Sequence, residues 1–250
     1  MSEPDPLMAG SRIHVWDGPL RLFHWLLVIA IAVAFLSAEE DSLLNPWHIM
    51  SGWVAAILIA FRLIWGFVGG EYARFSGMFR NGGLGHHIGE MVRFKPRPAV
   101  GHNPLGWISA LLLIAVTAAV IWTGALIVTS SGETAEELHE VIGWSLLALV
   151  AVHILAVVIM SGLTRENLVR AMVTGAKPAG RHPGGQDARK PSLFAYLAAL
   201  VVIAAALFGI LKIDRQAFVP RSTEAAEYGE HDAGNLYQTE DEQEESERGE

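Results

Sequence analysis

The stretch Leu138–Leu163, LHEVIGWSLLALVAVHILAVVIMSGL, constrains this chain most. It is apolar and long enough to cross a bilayer as one helix, yet it carries two histidines, His139 and His153. At about 100° per residue, their spacing returns them to within roughly 40° of one face. At about 1.5 Å rise per residue, they stand roughly 21 Å apart along the axis. One helix therefore offers two imidazoles on one side, one towards each surface of a membrane.

Four more runs have membrane-like character: residues 22–38, 47–68, 104–128 and 192–211. With 52% hydrophobic residues in 250 and a mean hydropathy of +0.34, the chain reads as a small polytopic membrane protein. No cleavable signal is expected, because the first residues are polar and contain prolines. The absence of cysteine excludes disulfides, thiolate metal sites, iron–sulfur clusters and covalently attached c-type haem. The formal net charge of −8 is an uneven average, since residues 222–250 hold eleven of the 26 acids and one base, Arg248. Nothing in this pattern suggests nucleic-acid binding.

The loops give an expected orientation. Residues 69–103 carry five Lys or Arg and residues 164–191 carry six, whereas 39–46 and 129–137 carry none and three acids each. By the positive-inside rule the N-terminus and both basic loops lie in the cytoplasm, and the acidic C-terminal tail lies outside. His24 and His153 then share the inner level, and His48 and His139 the outer level. Two imidazoles facing each other across a bundle are what a bis-histidine b-type haem requires. Each histidine is also readable as an ordinary polar group at a span end, although ionisable residues within a span are functional candidates by default. The remaining histidines, His14, His86, His87, His102, His182 and His231, read as solvated loop residues.

Gly52 and Gly143 follow His48 and His139 by one turn, leaving room for a flat macrocycle; small residues at these positions also allow close helix packing. Haem propionates need cationic partners. Arg21, one turn before His24, is the first candidate, with Arg62 and Arg165 behind it. Arg62 is expected to snorkel to the head groups, and Trp25, Trp47, Trp65 and Trp107 to anchor the run ends at the interface. The outer loops offer no base, leaving Ser51, Ser130 and tryptophans as the only partners to name there.

The strings VWDGPLRLFHW, FRLIWGFVGGEYARF, GHNPLGW, ELHEVIGW and TRENLVRAMVTGAKP, in that order, resemble the bacterial cytochrome b561 and nickel-iron hydrogenase b-type cytochrome family. The resemblance spans about residues 13–178. It implies an all-α four-helix transmembrane bundle holding two b haems and passing electrons across the bacterial cytoplasmic membrane, with His24, His48, His139 and His153 at the positions of the family's four ligands. A di-haem domain is thus expected over 1–178, a cytoplasmic linker over 179–191, a fifth transmembrane helix over 192–211 and a disordered acidic periplasmic tail over 212–250. The last two depart from the four-helix pattern. The fifth helix is available as a contact in a homo-oligomer, and the tail could steer a basic partner by long-range attraction.

The expected function is electron transfer between membrane quinone and a periplasmic redox protein such as a c-type cytochrome, as a subunit rather than a stand-alone enzyme. Rival readings are a superoxide- or small-donor-oxidising quinone reductase, a membrane-anchor cytochrome of a hydrogenase or other oxidoreductase, and a haem-free proton or metal transporter. The acidic outer loops argue against attracting an anion such as superoxide.

Overall fold

In the computed structural model, residues 11–39, 41–79, 99–130, 133–182 and 184–222 are described. The expected all-α membrane architecture is found, with five helices long and apolar enough to cross a bilayer. These are α1 (Gly18–Leu36), α2 (His48–Val68), α3 (Pro104–Ser130), α4 (Glu133–Thr164) and α6 (Leu193–Ile213). A short helix, α5 (Leu168–Thr174), follows α4. Strands β1 (Arg12–His14) and β2 (Ala176–Pro178) then pair antiparallel beside it.

Several ends are set by side chains. Asp17 precedes α1 and accepts from Leu20 N at 2.8 Å, with Pro19 in the first turn where no amide is needed. The helix therefore begins before Leu22, and His24 lies in its second turn rather than at its start. Asn103 plays the same part for α3, accepting from Gly106 N at 2.6 Å. Asn167 caps α5, and Gly175, at φ 80°, ends it with the left-handed residue that helix termination favours.

The central element is α2, which packs against α1, α3 and α6. α4 packs along α3 and makes no more than isolated contacts with α1 and α2. α6 lies on α2 through Ala195 and Ala199 at one end and Ile210 at the other. Small side chains let the two backbones approach, which supports association where lipid removes the hydrophobic drive between helices.

The polar C-terminal segment departs from expectation near its start. Helix α6 runs to Ile213, and residues 214–222 fold back as ordered chain. Ala217 is buried and Phe218 packs beside Trp53. Asp214 accepts from Trp53 Nε1 at 2.8 Å and pairs with Arg221 at 2.5 Å, while Arg221 N donates to Pro46 O at 2.9 Å. The expectation of a disordered tail otherwise falls on residues 223–250, outside the described residues, as do His86, His87 and His231.

Candidate functional site: two histidine pairs across the bundle

α4 turns one narrow stripe towards its neighbours. His139, Ile142, Gly143, Leu146, Leu149, Val150, His153, Val157 and Met160 are less exposed, and the residues between them face outward. This is the helical periodicity that the spacing of the two histidines predicts. His139 meets His48 of α2 with ring centroids 6.0 Å apart and planes at 79°. His153 lies within electrostatic range of His24 of α1. The structure thus brings His48 and His139 together and leaves His24 within electrostatic range of His153, in each case across helices that make no more than isolated contacts.

Three of the four imidazoles are oriented by hydrogen bonds at Nδ1. His48 Nδ1 lies 2.9 Å from Ala34 O of α1. His139 Nδ1 lies 3.0 Å from Thr123 Oγ1 and 3.1 Å from Val120 O. His153 Nδ1 lies 3.2 Å from Ser109 Oγ. A metal-binding histidine commonly uses one ring nitrogen for such a bond, which fixes the ring and leaves Nε2 for the metal. His24 Nδ1 is buried without a hydrogen-bond partner among the described residues.

Sequence reasoning missed Ser109 and Thr123. They sit in α3, whose run has neither histidine nor charge, and are separated by the same number of residues as His139 and His153. The signal was a repeated hydroxyl spacing in an antiparallel neighbour. It was hidden because Ser and Thr satisfy themselves within any helix, as Thr123 also does against Ala119 O at 3.1 Å.

The Arg-rich end, where His24 and His153 lie, is densely knit. Asp17 accepts from Trp65 Nε1 at 3.1 Å while capping α1. A side chain at Gly70 would overlap the Asp17 carboxylate, so this approach requires glycine. Arg62 does not snorkel. It is 3% exposed and its guanidinium stands 4.8 Å from the Phe75 ring centroid. Gly66, one turn on, makes room for that ring. Trp65 and Trp107 are likewise buried rather than interfacial. The reason is shared: the loop after α2 folds back over this end, so a side chain near the helix terminus meets protein instead of head groups.

Arg21 donates to Val173 O at 2.5 Å and packs against the backbone of Gly175, tying α1 to the segment after α4. Its Nε is buried without a partner, leaving donor capacity at this end. Arg165 is exposed just past the α4 terminus, where it lines a cleft with Val158, Gly162 and Val169.

Two histidines read as solvated are not. His102 sits between Trp16 and Trp107, with ring centroids 4.7 and 4.8 Å away. Burial pushes its pKa down to about 3, helped by the charges of Arg62 and Lys177 and by His153 and His24. His182 is buried, 2.7 Å from Glu166 Oε1, and burial lowers its pKa despite that carboxylate. His14 is exposed as expected.

The opposite end is sparser. Ser51 Oγ donates to His48 O at 2.8 Å and is committed there. The Ser130 side chain lies outside the described residues. The base that the loops lacked at this end comes from the C-terminal segment: Arg221, already paired with Asp214, with its Nε buried and unpartnered.

A profile of the prokaryotic cytochrome b561 family matches residues 15–175. The chain belongs to that family. It is a multi-pass membrane electron-transfer cytochrome with haem b. It is 24% identical to the probable Ni/Fe-hydrogenase B-type cytochrome subunit of Rhizobium leguminosarum bv. viciae, over 67% of this chain and 89% of that protein. The corresponding subunit of Azotobacter vinelandii is 25% identical over 66% and 88% of the two chains. That of Rhodobacter capsulatus is 20% identical over 66% and 81%. No solved structure matches the chain.

The residues present fit a haem b in this cytochrome. Two metal–nitrogen bonds of about 2 Å each, plus the depth from each nitrogen to its ring centre, come close to the 6.0 Å between the His48 and His139 ring centres. A side chain at Gly52 or Gly143 would meet no atom within 4 Å, so open space adjoins the backbone one turn beyond each of these histidines. Among the described residues no cluster of three or more His, Asp or Glu side chains could hold a separate metal ion, which sets the paired arrangement apart from a chelating site.

Proposed function

We propose that this cytochrome carries two b haems, one held by His48 and His139 and the other by His24 and His153, and relays single electrons between them. The observation that carries the reading is the doubled geometry of α4: two inward histidines, each opposite a histidine of another helix and each oriented by a hydroxyl of α3. The haem supplies reversible one-electron chemistry; the protein supplies axial nitrogens, fixed ring orientation and a dry apolar surround. The histidine levels stand roughly 21 Å apart by helix rise, so the pair together bridges much of the bilayer. Gly52 and Gly143 provide space beside one haem, and Arg21 offers guanidinium donors towards propionates at the other.

The basic loops support an inner-membrane orientation with the N-terminus in the cytoplasm, the His24–His153 pair on that side and the C-terminus in the periplasm. In that arrangement the membrane quinone pool and a periplasmic redox protein, such as a c-type cytochrome, are the exchange partners. A second reading, a membrane subunit for a hydrogenase or related oxidoreductase, is favoured by the names of the relatives. The two readings differ in partner and share the conduit.

A reduced-minus-oxidised spectrum of the purified protein, with haem counted per chain, tests the proposal. Two low-spin b haems are expected. One haem per chain, or none, overturns the pairing.

A further inference from the structure

Beyond the histidine pairs, the Arg-rich end holds a second built feature at the exit of α4. The helix stops at Thr164 and Arg165 takes a left-handed backbone conformation, φ 53°, which swings the chain sideways into α5. An open cleft of about 750 Å3 lies in the angle, walled by Val158, Gly162, Val169 and Val173. It runs into a smaller, more enclosed cavity of about 170 Å3, where Arg12, Arg165, Arg170 and Lys177 converge. Arg165 and Arg170 border both parts.

The charge in the smaller cavity is not balanced. Its one acid, Glu166, is buried and already engaged by His182 at 2.7 Å and Lys177 at 3.6 Å. Lys177 also donates to Ala99 O at 2.6 Å. Arg12, Arg165 and Arg170 are exposed and make no ion pair among the described residues. The apolar part has the opposite character. Val169 and Val173 are 48% and 55% exposed on a short helix at the end of a membrane span. Nothing lies within 4 Å of where a Gly162 side chain would begin, so the α4 surface is notched there. Apolar side chains beside unpaired arginines at this depth match the boundary between acyl chains and head groups.

We propose that this groove binds one anionic phospholipid, its phosphodiester against Arg12, Arg165 and Arg170 and an acyl chain along Val158, Gly162, Val169 and Val173. Guanidinium groups bind phosphate oxygens in pairs, and basic pockets at the ends of membrane helices are suited to anionic head groups. Topology alone explains basic residues in a loop. It does not explain their convergence on a cavity that opens into an apolar cleft. An exposed arginine on its own selects no lipid; three around one small cavity do.

The test is native mass spectrometry of the detergent-solubilised holoprotein, titrated with phosphatidylglycerol, phosphatidylcholine, inorganic phosphate or a short-chain quinone. The wild type should prefer phosphatidylglycerol. In R12Q/R170Q that preference should fall about 30-fold, two surface charges' worth, with haem per chain unchanged. G162L, whose added Cβ has nothing within 4 Å, should weaken phosphatidylglycerol and leave inorganic phosphate binding as it was. Equal binding of the two lipids by the wild type, or an undiminished preference in R12Q/R170Q, overturns the proposal. Competition by inorganic phosphate as strong as that by the lipid would reassign the site to a free anion. Quinone binding that ignores the arginines but is lost in G162L would reassign the cleft to quinone. None of these outcomes depends on the haem count, so this proposal and the di-haem reading fail separately.

Discussion

The two ends of the bundle hold equivalent histidine pairs in unequal surroundings. Around His24 and His153 lies a sequence-distant mesh: Asp17 on Trp65, Arg62 over Phe75, His102 between two tryptophans, and Arg21 on Val173 O. Around His48 and His139 the polar contacts are fewer: the two rings bond Ala34 O, Thr123 Oγ1 and Val120 O, and one clasp of Trp53, Asp214 and Arg221 is supplied by the fifth helix and its return. The difference teaches that a membrane helix bundle can place two like sites at two depths with one repeated spacing, while support for each site comes from whatever chain caps that end. At one end the cap is the loops of the four-helix unit itself; at the other it is an added helix and its return.

The comparison breaks most sharply at the histidines. H153A and H139A should each reduce haem from two per chain to one, and the remaining spectra should differ, each matching the component that the other variant loses. Loss of both haems from either variant, measured by haem extraction per chain, would mean that the sites are not separable.

The next effect is on the caps. W65A removes a fully buried indole and its bond to Asp17, at a cost of about 3–5 kcal/mol. D214A leaves Trp53 Nε1 and Arg221 without their acceptor, at about 1–3 kcal/mol. Thermal unfolding followed separately at each haem's absorbance should show W65A loosening the His24–His153 haem first and D214A the other. Equal loosening of both haems by both variants would erase the distinction between the ends.

A smaller effect should separate the two hydroxyls. His153 Nδ1 is bonded to Ser109 Oγ, whereas His139 Nδ1 has both Thr123 Oγ1 and Val120 O. S109A should therefore disturb its haem more than T123V does, within the roughly 10–100-fold loss of affinity typical when a ligand's orienting partner is removed. Redox titration and haem dissociation rates read this order.

The smallest effect is on pH dependence. His102 has a folded pKa near 3 against about 6.5 unfolded. The unfolded chain therefore binds the additional proton, and stability should decline as pH falls from about 6.5 towards 3, with a slope of up to one proton. H102F should flatten that part of the profile, followed by the thermal midpoint at stepped pH.

Much of the fold was legible because it depends on period and length. Apolar runs gave five spans, and the spacing within one run put His139 and His153 on one face, where both are less exposed than the residues beside them. What stayed hidden depends on partners far away in the chain. Arg62 looked like a snorkelling residue because nothing nearby announced Phe75 or the loop that carries it. Trp65 and Trp107 looked interfacial for the same reason. His102 and His182 sit in polar, glycine-rich sequence, yet tertiary contacts bury them. Ser109 and Thr123 gave a readable spacing only once a neighbouring helix was known to be antiparallel and in register.

The clasp of Asp214 and Arg221 has a consequence for the acidic residues that follow. Because Arg221 N is bonded to Pro46 O, at the turn entering α2, the last described residues, 221 and 222, lie at the same end as His48 and His139. Eleven acidic residues follow them in the sequence. A tether raises local concentration without adding contacts, so the anchor at Pro46 is where any effect of those acids on a partner would be set.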